Sequence, residues 1–314
     1  HPSRTRGATV ARGDSAAAGG RNVDAACSDA YGSAVLTRNF GSLQRSVSVV
    51  GQGTWHLESD PASAAISALQ RGVELGMTHI DTAELYGSGR VEAIVGRAIA
   101  GRRDEVFLVS KVMPSNASRE GTRRACERSL RQLGTDHLDG YLLHWPGQHA
   151  LADTFEAFER LREQGKLRWW GVSNFDEEDL AEAVALAGPG RIACNQVLYN
   201  LGERGIEHAV LPFCEQHGIA VVGYTPFGTS SFPGRGKAGQ VLESIAARRG
   251  ASARQVALAF LTRRPSLFAI PKSGNPRHTE ENAGAGGLEL TPAEIAEVDA
   301  AFPLGPRRRG VAML

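Results

Sequence analysis

Asp81 and Tyr86 stand five residues apart in residues 76–89, GMTHIDTAELYGSG, pairing a carboxylate with a phenol where a short, partly apolar run gives way to loop. Taken alone, a tyrosine near acidic residues is an ordinary surface feature. Two further positions change its meaning. Lys111 closes the run Val106-Phe107-Leu108-Val109-Ser110-Lys111, and His144 closes Gly140-Tyr141-Leu142-Leu143-His144. A buried strand ends in a charge or an imidazole either to solvate the chain's exit or to do chemistry. The composition favours chemistry: of 35 Lys plus Arg only four are lysine, namely Lys111, Lys166, Lys237 and Lys272. A position that keeps lysine in so arginine-rich a chain needs a compact point charge with a movable pKa, which guanidinium cannot supply.

These residues can cooperate only if the fold brings strand ends together. From Ala34 onward, apolar and often β-branched runs alternate with helical patterns at a period of roughly 30 residues, the βα repeat of a parallel sheet. Eight units are legible, with strand ends near Thr54, Asp81, Lys111, His144, Asn174, Val197, Pro226 and Ser273. Eight such units predict one closed (β/α)8 TIM barrel over residues 34–314. Asp60-Pro61 reads as the N-cap and first turn of a helix whose apolar face holds Ile66, Leu69 and Val73, with Gly76 as its stop. Phe155, Phe158 and Leu161 form a similar stripe before Gly165. Segments 36–38 and 44–46 flank Asn39-Phe40-Gly41-Ser42, a pattern for a β-hairpin capping the barrel floor. The long gap between the seventh and eighth barrel strands predicts a large loop and an extra helix.

In such a barrel the residues that end strands converge on one face, which makes neighbours of Asp81, Lys111 and His144, with Tyr86 on the following loop. A lysine ammonium about 4 Å from a phenol, at an effective dielectric of about 20, favours phenolate by roughly 4 kcal/mol, or about three pKa units. The expectation is therefore a depressed Tyr86 pKa, with Asp81 holding the lysine charged and His144 hydrogen-bonding the reacting oxygen. Such a site protonates a developing alkoxide. It has no nucleophile, so it needs a partner that delivers hydride to a carbonyl carbon.

Residues 35 to about 303 resemble the aldo-keto reductases. The tetrad of that family maps onto Asp81, Tyr86, Lys111 and His144, and GKLRWWGVSNF (165–175), NQVLYN (195–200) and IPKSGNP (270–276) are similar to its motifs. The resemblance implies NADPH, with NADH at lower affinity, and reduction of aldehydes or ketones with tyrosine as proton donor. It implies cofactor contacts at Gly53, Thr54, Pro226 and Phe227, carboxamide contacts at Ser173, Asn174 and Gln196, and ring stacking on Tyr224. Amides and hydroxyls suit a carboxamide because it both donates and accepts. Lys272 and Ser273, ending the last strand, correspond to the adenosine 2′-phosphate site, and Glu281 and Asn282 to adenine contacts. His278 stands, after Arg277, where the family often has arginine, which moderates the expected preference for NADPH. Trp55, Trp145, Phe227 and Phe232 are the expected substrate pocket; Trp169 and Trp170, inside one strand, read as structural. The segment after Phe302 looks short, so the long C-terminal loop that shapes bulky-substrate pockets in some relatives looks reduced. Small aldehydes and dicarbonyls such as methylglyoxal are the leading substrate class; a cofactor-binding regulatory subunit with little turnover is the alternative function.

Composition agrees with a small-molecule partner. The chain has 314 residues, 42% hydrophobic content and a formal charge of +1, with a pI near 7.9; these give no electrostatic case for nucleic acid or membrane surfaces. The sequence leaves the oligomeric state open, and a monomer fits it. Cys27, Cys126, Cys194 and Cys214 show neither CxxC spacing nor a disulfide framework, which suits reduced thiols in the cytoplasm. Residues 1–33 are dominated by Ala, Gly, Arg and Ser without a persistent period or a signal-peptide core, and are expected to be a disordered extension. Gly51-Gln52-Gly53 lacks the third glycine of a Rossmann fingerprint, and the segment around Lys237 lacks the phosphate-loop pattern. That glycine-rich segment instead reads as a flap over the cofactor pyrophosphate or as a plain loop. His144 and His149 lack the spacing of a zinc site, so no metal is expected. Paired-carboxylate sugar chemistry needs two strand-end acids, and Asp81 is the single convincing one.

Overall fold

Short apolar runs bounded by glycine and proline become strands because they can bury both faces, and the amphipathic segments between them become the helices that cover one of those faces. A computed structural model of the chain describes residues 35–229, 232 and 236–314; the extension expected over residues 1–33 lies outside the described residues, as do residues 230, 231 and 233–235 of the expected flap. The described chain opens with a hairpin, β1 (Thr37–Asn39) and β2 (Ser46–Ser48), paired antiparallel. Eight parallel strands follow: β3 (Gln52–Gly53), β4 (His79–Asp81), β5 (Phe107–Val112), β6 (Leu138–Leu143), β7 (Leu167–Ser173), β8 (Ile192–Leu198), β9 (Ala220–Tyr224) and β10 (Leu267–Ile270). Parallel bridges from Val50 to Ala269 and from Gly53 to Lys272 join the last strand to the first. That closure needs glycine: a Cβ at Gly53 would sit 2.5 Å from the Ile270 carbonyl oxygen. The barrel read from the sequence is therefore present. Its last strand ends at Ile270, so Lys272 and Ser273 lie in the turn beyond it.

Among the described residues ten α-helices accompany the strands: α1 (Ala62–Glu74), α2 (Arg90–Ala98), α3 (Arg119–Leu133), α4 (Leu151–Glu163), α5 (Glu177–Ala187), α6 (Val210–Gln216), α7 (Lys237–Arg249), α8 (Ala253–Leu261), α9 (Pro276–Gly284) and α10 (Pro292–Ala301). The gap before β10 holds two of them, α7 and α8, one more than the earlier gaps between barrel strands carry, which is the extra helix expected. Local chemistry sets most of their ends. Ser118 accepts from the Gly121 N–H to start α3, and Gly134, at φ 65°, stops it. Reciprocal capping boxes open α5, α8 and α10. Helix α1 departs from expectation: Pro61 is its N-cap and no side chain caps it, so Asp60 does not perform that task.

Two apolar layers hold the barrel. Between sheet and helices, Trp170 of β7 stacks on Phe155 of α4 at 4.7 Å and its indole N–H donates to Glu159 at 3.0 Å. Inside, the hairpin turn drives Phe40 into the floor, where its ring lies 5.1 Å from Phe107 and 4.9 Å from Phe268. Trp169 stacks against Phe107 on that inner side, so the two tryptophans are structural in opposite directions, as strand alternation requires. Cys126, Cys194 and Cys214 are buried and free, and burial pushes all three thiols up. None of the helices in the described residues is long and apolar enough to cross a membrane.

Candidate active site

Strand register assembles the site. Asp81 pairs with Val109 and Lys111 with Leu142, so each successive strand carries its polar residue two positions further along, which keeps the same inward face because side chains alternate with period two. Asp81 ends β4, Lys111 lies in β5, and His144 follows β6 directly. Tyr86 begins a short 3-10 turn after β4. The Lys111 ammonium, fully buried, donates to Asp81 Oδ1 at 2.6 Å, to the Thr82 carbonyl at 2.8 Å and to the Tyr86 hydroxyl at 3.2 Å. Asp81 Oδ2 accepts from Gln196 Nε2 at 2.7 Å. The Tyr86 and His144 rings meet edge to face with centroids 5.8 Å apart.

Burial decides the electrostatics. It disfavours the Lys111 charge, yet Asp81 and Tyr86 outweigh it and hold the ammonium above its ordinary value. Burial also raises the Asp81 carboxyl against the pull of Lys111. The pair is read as ionised because both carboxylate oxygens accept hydrogen bonds, from Nζ and from Nε2. For Tyr86 the sequence expectation is overturned: loss of hydration outweighs the Lys111 charge, and the phenol pKa goes up rather than down. The pairwise Coulomb argument omitted the cost of placing phenolate in a buried site. Burial, reinforced by the Lys111 charge, depresses His144 to about 2; the imidazole is neutral, and its Nδ1 is buried with no partner.

A cavity of about 440 Å³ opens above these groups at the C-terminal ends of the strands. Its lining includes Asp81, Tyr86 and His144, and also Gly53, Thr54, Ser173, Asn174, Gln196, Tyr224, Pro226, Phe227 and Lys272 from the expected cofactor set. Asn174, held at φ 60°, donates to the His144 carbonyl at 3.0 Å and accepts from the Tyr224 hydroxyl at 3.0 Å. Ser173 donates to the Gln196 carbonyl at 2.9 Å. Four expected contacts lie away from this cavity. The Ser273 hydroxyl is engaged with the backbone of Asn275, His278 is exposed, Glu281 accepts from the Ser252 hydroxyl at 2.6 Å, and Asn282 is buried.

Of the expected substrate residues, Trp55, Trp145 and Phe227 line the cavity. Phe232 does not; it packs on Phe227 at 5.2 Å, under the Arg254 guanidinium. The short C-terminal segment nevertheless reaches the site, where Met313 and Leu314 line the mouth. The segment is led there by side chains that the sequence showed without their partners. Arg307 pairs with Glu177 at 2.7 Å, Arg309 with Glu178 at 3.6 Å and Arg308 with Glu203 at 3.9 Å. Leu85 is a further lining residue missed by the sequence reading; the acidic start of α5 opposite three consecutive arginines was the available signal for the tail.

Comparisons agree with this architecture. The sequence profile of the Aldo/keto reductase family matches residues 49–302. A methylglyoxal reductase, YeaE of Escherichia coli, is 46% identical over 264 residues, covering 82% of this chain and 92% of its own. A 9,11-endoperoxide prostaglandin H2 reductase of Trypanosoma cruzi is 34% identical over 264 residues, covering 83% and 90%. The crystal structure of an aldo-keto reductase from Klebsiella pneumoniae in complex with NADPH superposes with a TM-score of 0.82 at 40% identity, covering 90% of this chain and all of that one. With its closed parallel barrel and a family match spanning nearly every strand, the chain belongs to the aldo/keto reductase family.

Proposed function

We propose that this protein reduces small aldehydes and dicarbonyls with NADPH, using the Tyr86 hydroxyl as proton donor. The observation that carries the reading is the Lys111 ammonium, bound at once to the Asp81 carboxylate and the Tyr86 hydroxyl beneath an open cavity. The donor set fits a nicotinamide: Ser173, Asn174 and Gln196 line the wall with a hydroxyl and two amides, Tyr224 offers a ring face, and Lys272 puts a cation at the rim. When bound, the cofactor supplies hydride to the carbonyl carbon. Everything else is done by side chains. A raised Tyr86 pKa keeps the phenol protonated at neutral pH, and the adjacent ammonium stabilises the phenolate left after the proton has gone. Asp81 keeps that ammonium charged and aimed. His144, neutral and lining the cavity, is suited to hydrogen-bond the carbonyl oxygen rather than to protonate it.

The size of the site favours small substrates. Nicotinamide and substrate share about 440 Å³, with Trp55, Trp145, Phe227 and Met313 around the opening, and the methylglyoxal reductase is the relative at 46% identity. The assembled tetrad favours turnover over the regulatory-subunit alternative. Steady-state oxidation of NADPH with methylglyoxal and a panel of larger aldehydes tests the reading. Turnover should be highest with the small dicarbonyls, and absence of turnover with every carbonyl would return the regulatory alternative.

A further inference from the structure

Asp60 precedes Pro61 at the start of α1, where an aspartate ordinarily caps the helix. Here no side chain caps α1. The Asp60 carboxylate turns away to accept from the Lys272 ammonium at 2.5 Å. It also fills the concave side of the turn that leads into α9: a Cβ placed on Gly274 would lie 2.2 Å from Asp60 Oδ2. Both side chains of the pair are about one-third exposed, so the contact is open to replacement from solvent.

The geometry points to Asp60 as a built-in counter-ion that occupies the phosphate position on Lys272 and thereby sets the balance between NADPH and NADH. The inference rests on the reading that Lys272 holds the adenosine 2′-phosphate. A phosphate arriving at Lys272 meets a carboxylate already hydrogen-bonded there, and two anions on one ammonium repel. Entry of the phosphate therefore releases Asp60, whose nearest alternative is the uncapped start of α1. NADH carries a hydroxyl in place of that phosphate. A carboxylate accepts a hydrogen bond from such a hydroxyl without leaving its lysine, the use that acidic residues serve in NAD-binding folds. Asp60 thus lowers affinity for NADPH and tolerates NADH.

The test is fluorescence titration with NADPH and with NADH of the wild type, Asp60→Asn, Lys272→Ala and Glu74→Gln, each checked by melting temperature. Asp60→Asn should tighten NADPH roughly three- to fivefold, the scale of an exposed ion pair, and leave NADH unchanged or weaker. Should that variant melt low, Asp60→Ser, which restores a helix-capping hydroxyl, carries the same comparison. An unchanged or weakened NADPH affinity on loss of the Asp60 carboxylate, with Lys272→Ala still selectively impairing NADPH, overturns the counter-ion role and leaves the phosphate assignment standing. Equal loss of both cofactors in Lys272→Ala overturns the phosphate assignment and this inference together. Equal tightening in Glu74→Gln, which removes one negative charge elsewhere on α1, would assign the effect to net charge and also overturn it.

Discussion

The two ends of the barrel each bury a histidine, and the two are electrostatically alike. His79, at the start of β4 on the floor, is depressed to about 3, and His144, after β6 at the mouth, to about 2; in both, burial is the larger cause and the Lys111 charge the smaller. Both have an Nδ1 buried without a partner. Their surroundings differ. His79 is enclosed edge to face by Phe40 and Phe107 at 5.8 and 5.4 Å, whereas His144 faces Tyr86 and lines the cavity. A perturbed pKa marks a candidate, but access to a reacting atom separates a catalytic group from a packed one.

Five experiments would break or sharpen that contrast. Tyr86→Phe, which removes the proton donor at the mouth, should lower kcat by about 10²–10⁴-fold, while fluorescence titration shows unchanged NADPH binding; near-normal turnover would refute the assigned mechanism. His144→Leu should cost about 10²–10³-fold in kcat/KM, as expected for loss of one oriented hydrogen-bond group. The matching floor variant, His79→Ala, should leave kcat/KM intact and lower stability by about 2–4 kcal/mol through the cavity it opens. A rate loss at His79 as large as that at His144 would erase the distinction between the two ends.

At the rim, Lys272→Ala should weaken NADPH by about ten- to a hundredfold, the scale of a charge-assisted hydrogen bond, with NADH barely affected. The smallest effect is on stability against pH, where the two histidines should act alike. Each has a folded pKa below its unfolded value, near 6.5, so the unfolded chain binds the extra proton. Their contribution is harmless above pH 6.5 and destabilising as pH falls from there toward 3, by up to roughly 1.4 kcal/mol per unit for each. Denaturation at pH 7 and pH 5 should therefore show a shallower loss in His79→Leu and in His144→Leu than in the wild type. An unchanged slope would mean that the imidazoles are hydrated or charged in the folded state.

The barrel was legible because strand ends announce themselves locally. Apolar runs stop at Asp81, Lys111 and His144, and a closed parallel barrel has one rim at which such ends can meet. Trp170 and the Phe155 stripe were equally readable, since alternation along a strand and spacing along a helix are properties of consecutive residues. Asp60 was not: its type and position before Pro61 spell a cap, but Lys272, far away in sequence, offered a charge that the helix start did not match. The course of the tail was hidden for the same kind of reason, because Arg307 and Arg309 acquire direction only when Glu177 and Glu178 stand opposite them.

The sequence by itself determined the order of strands and helices, the capping boxes, and which residue types reach the rim, all of which follow from short-range periodicity and side-chain chemistry. Tertiary structure alone decided that Tyr86 is harder to ionise rather than easier, that Phe232 packs beside the pocket instead of lining it, and that Met313 enters it. Ionisation depends on how completely distant segments exclude water, and lining depends on which segments converge; neither quantity exists until the chain has closed on itself.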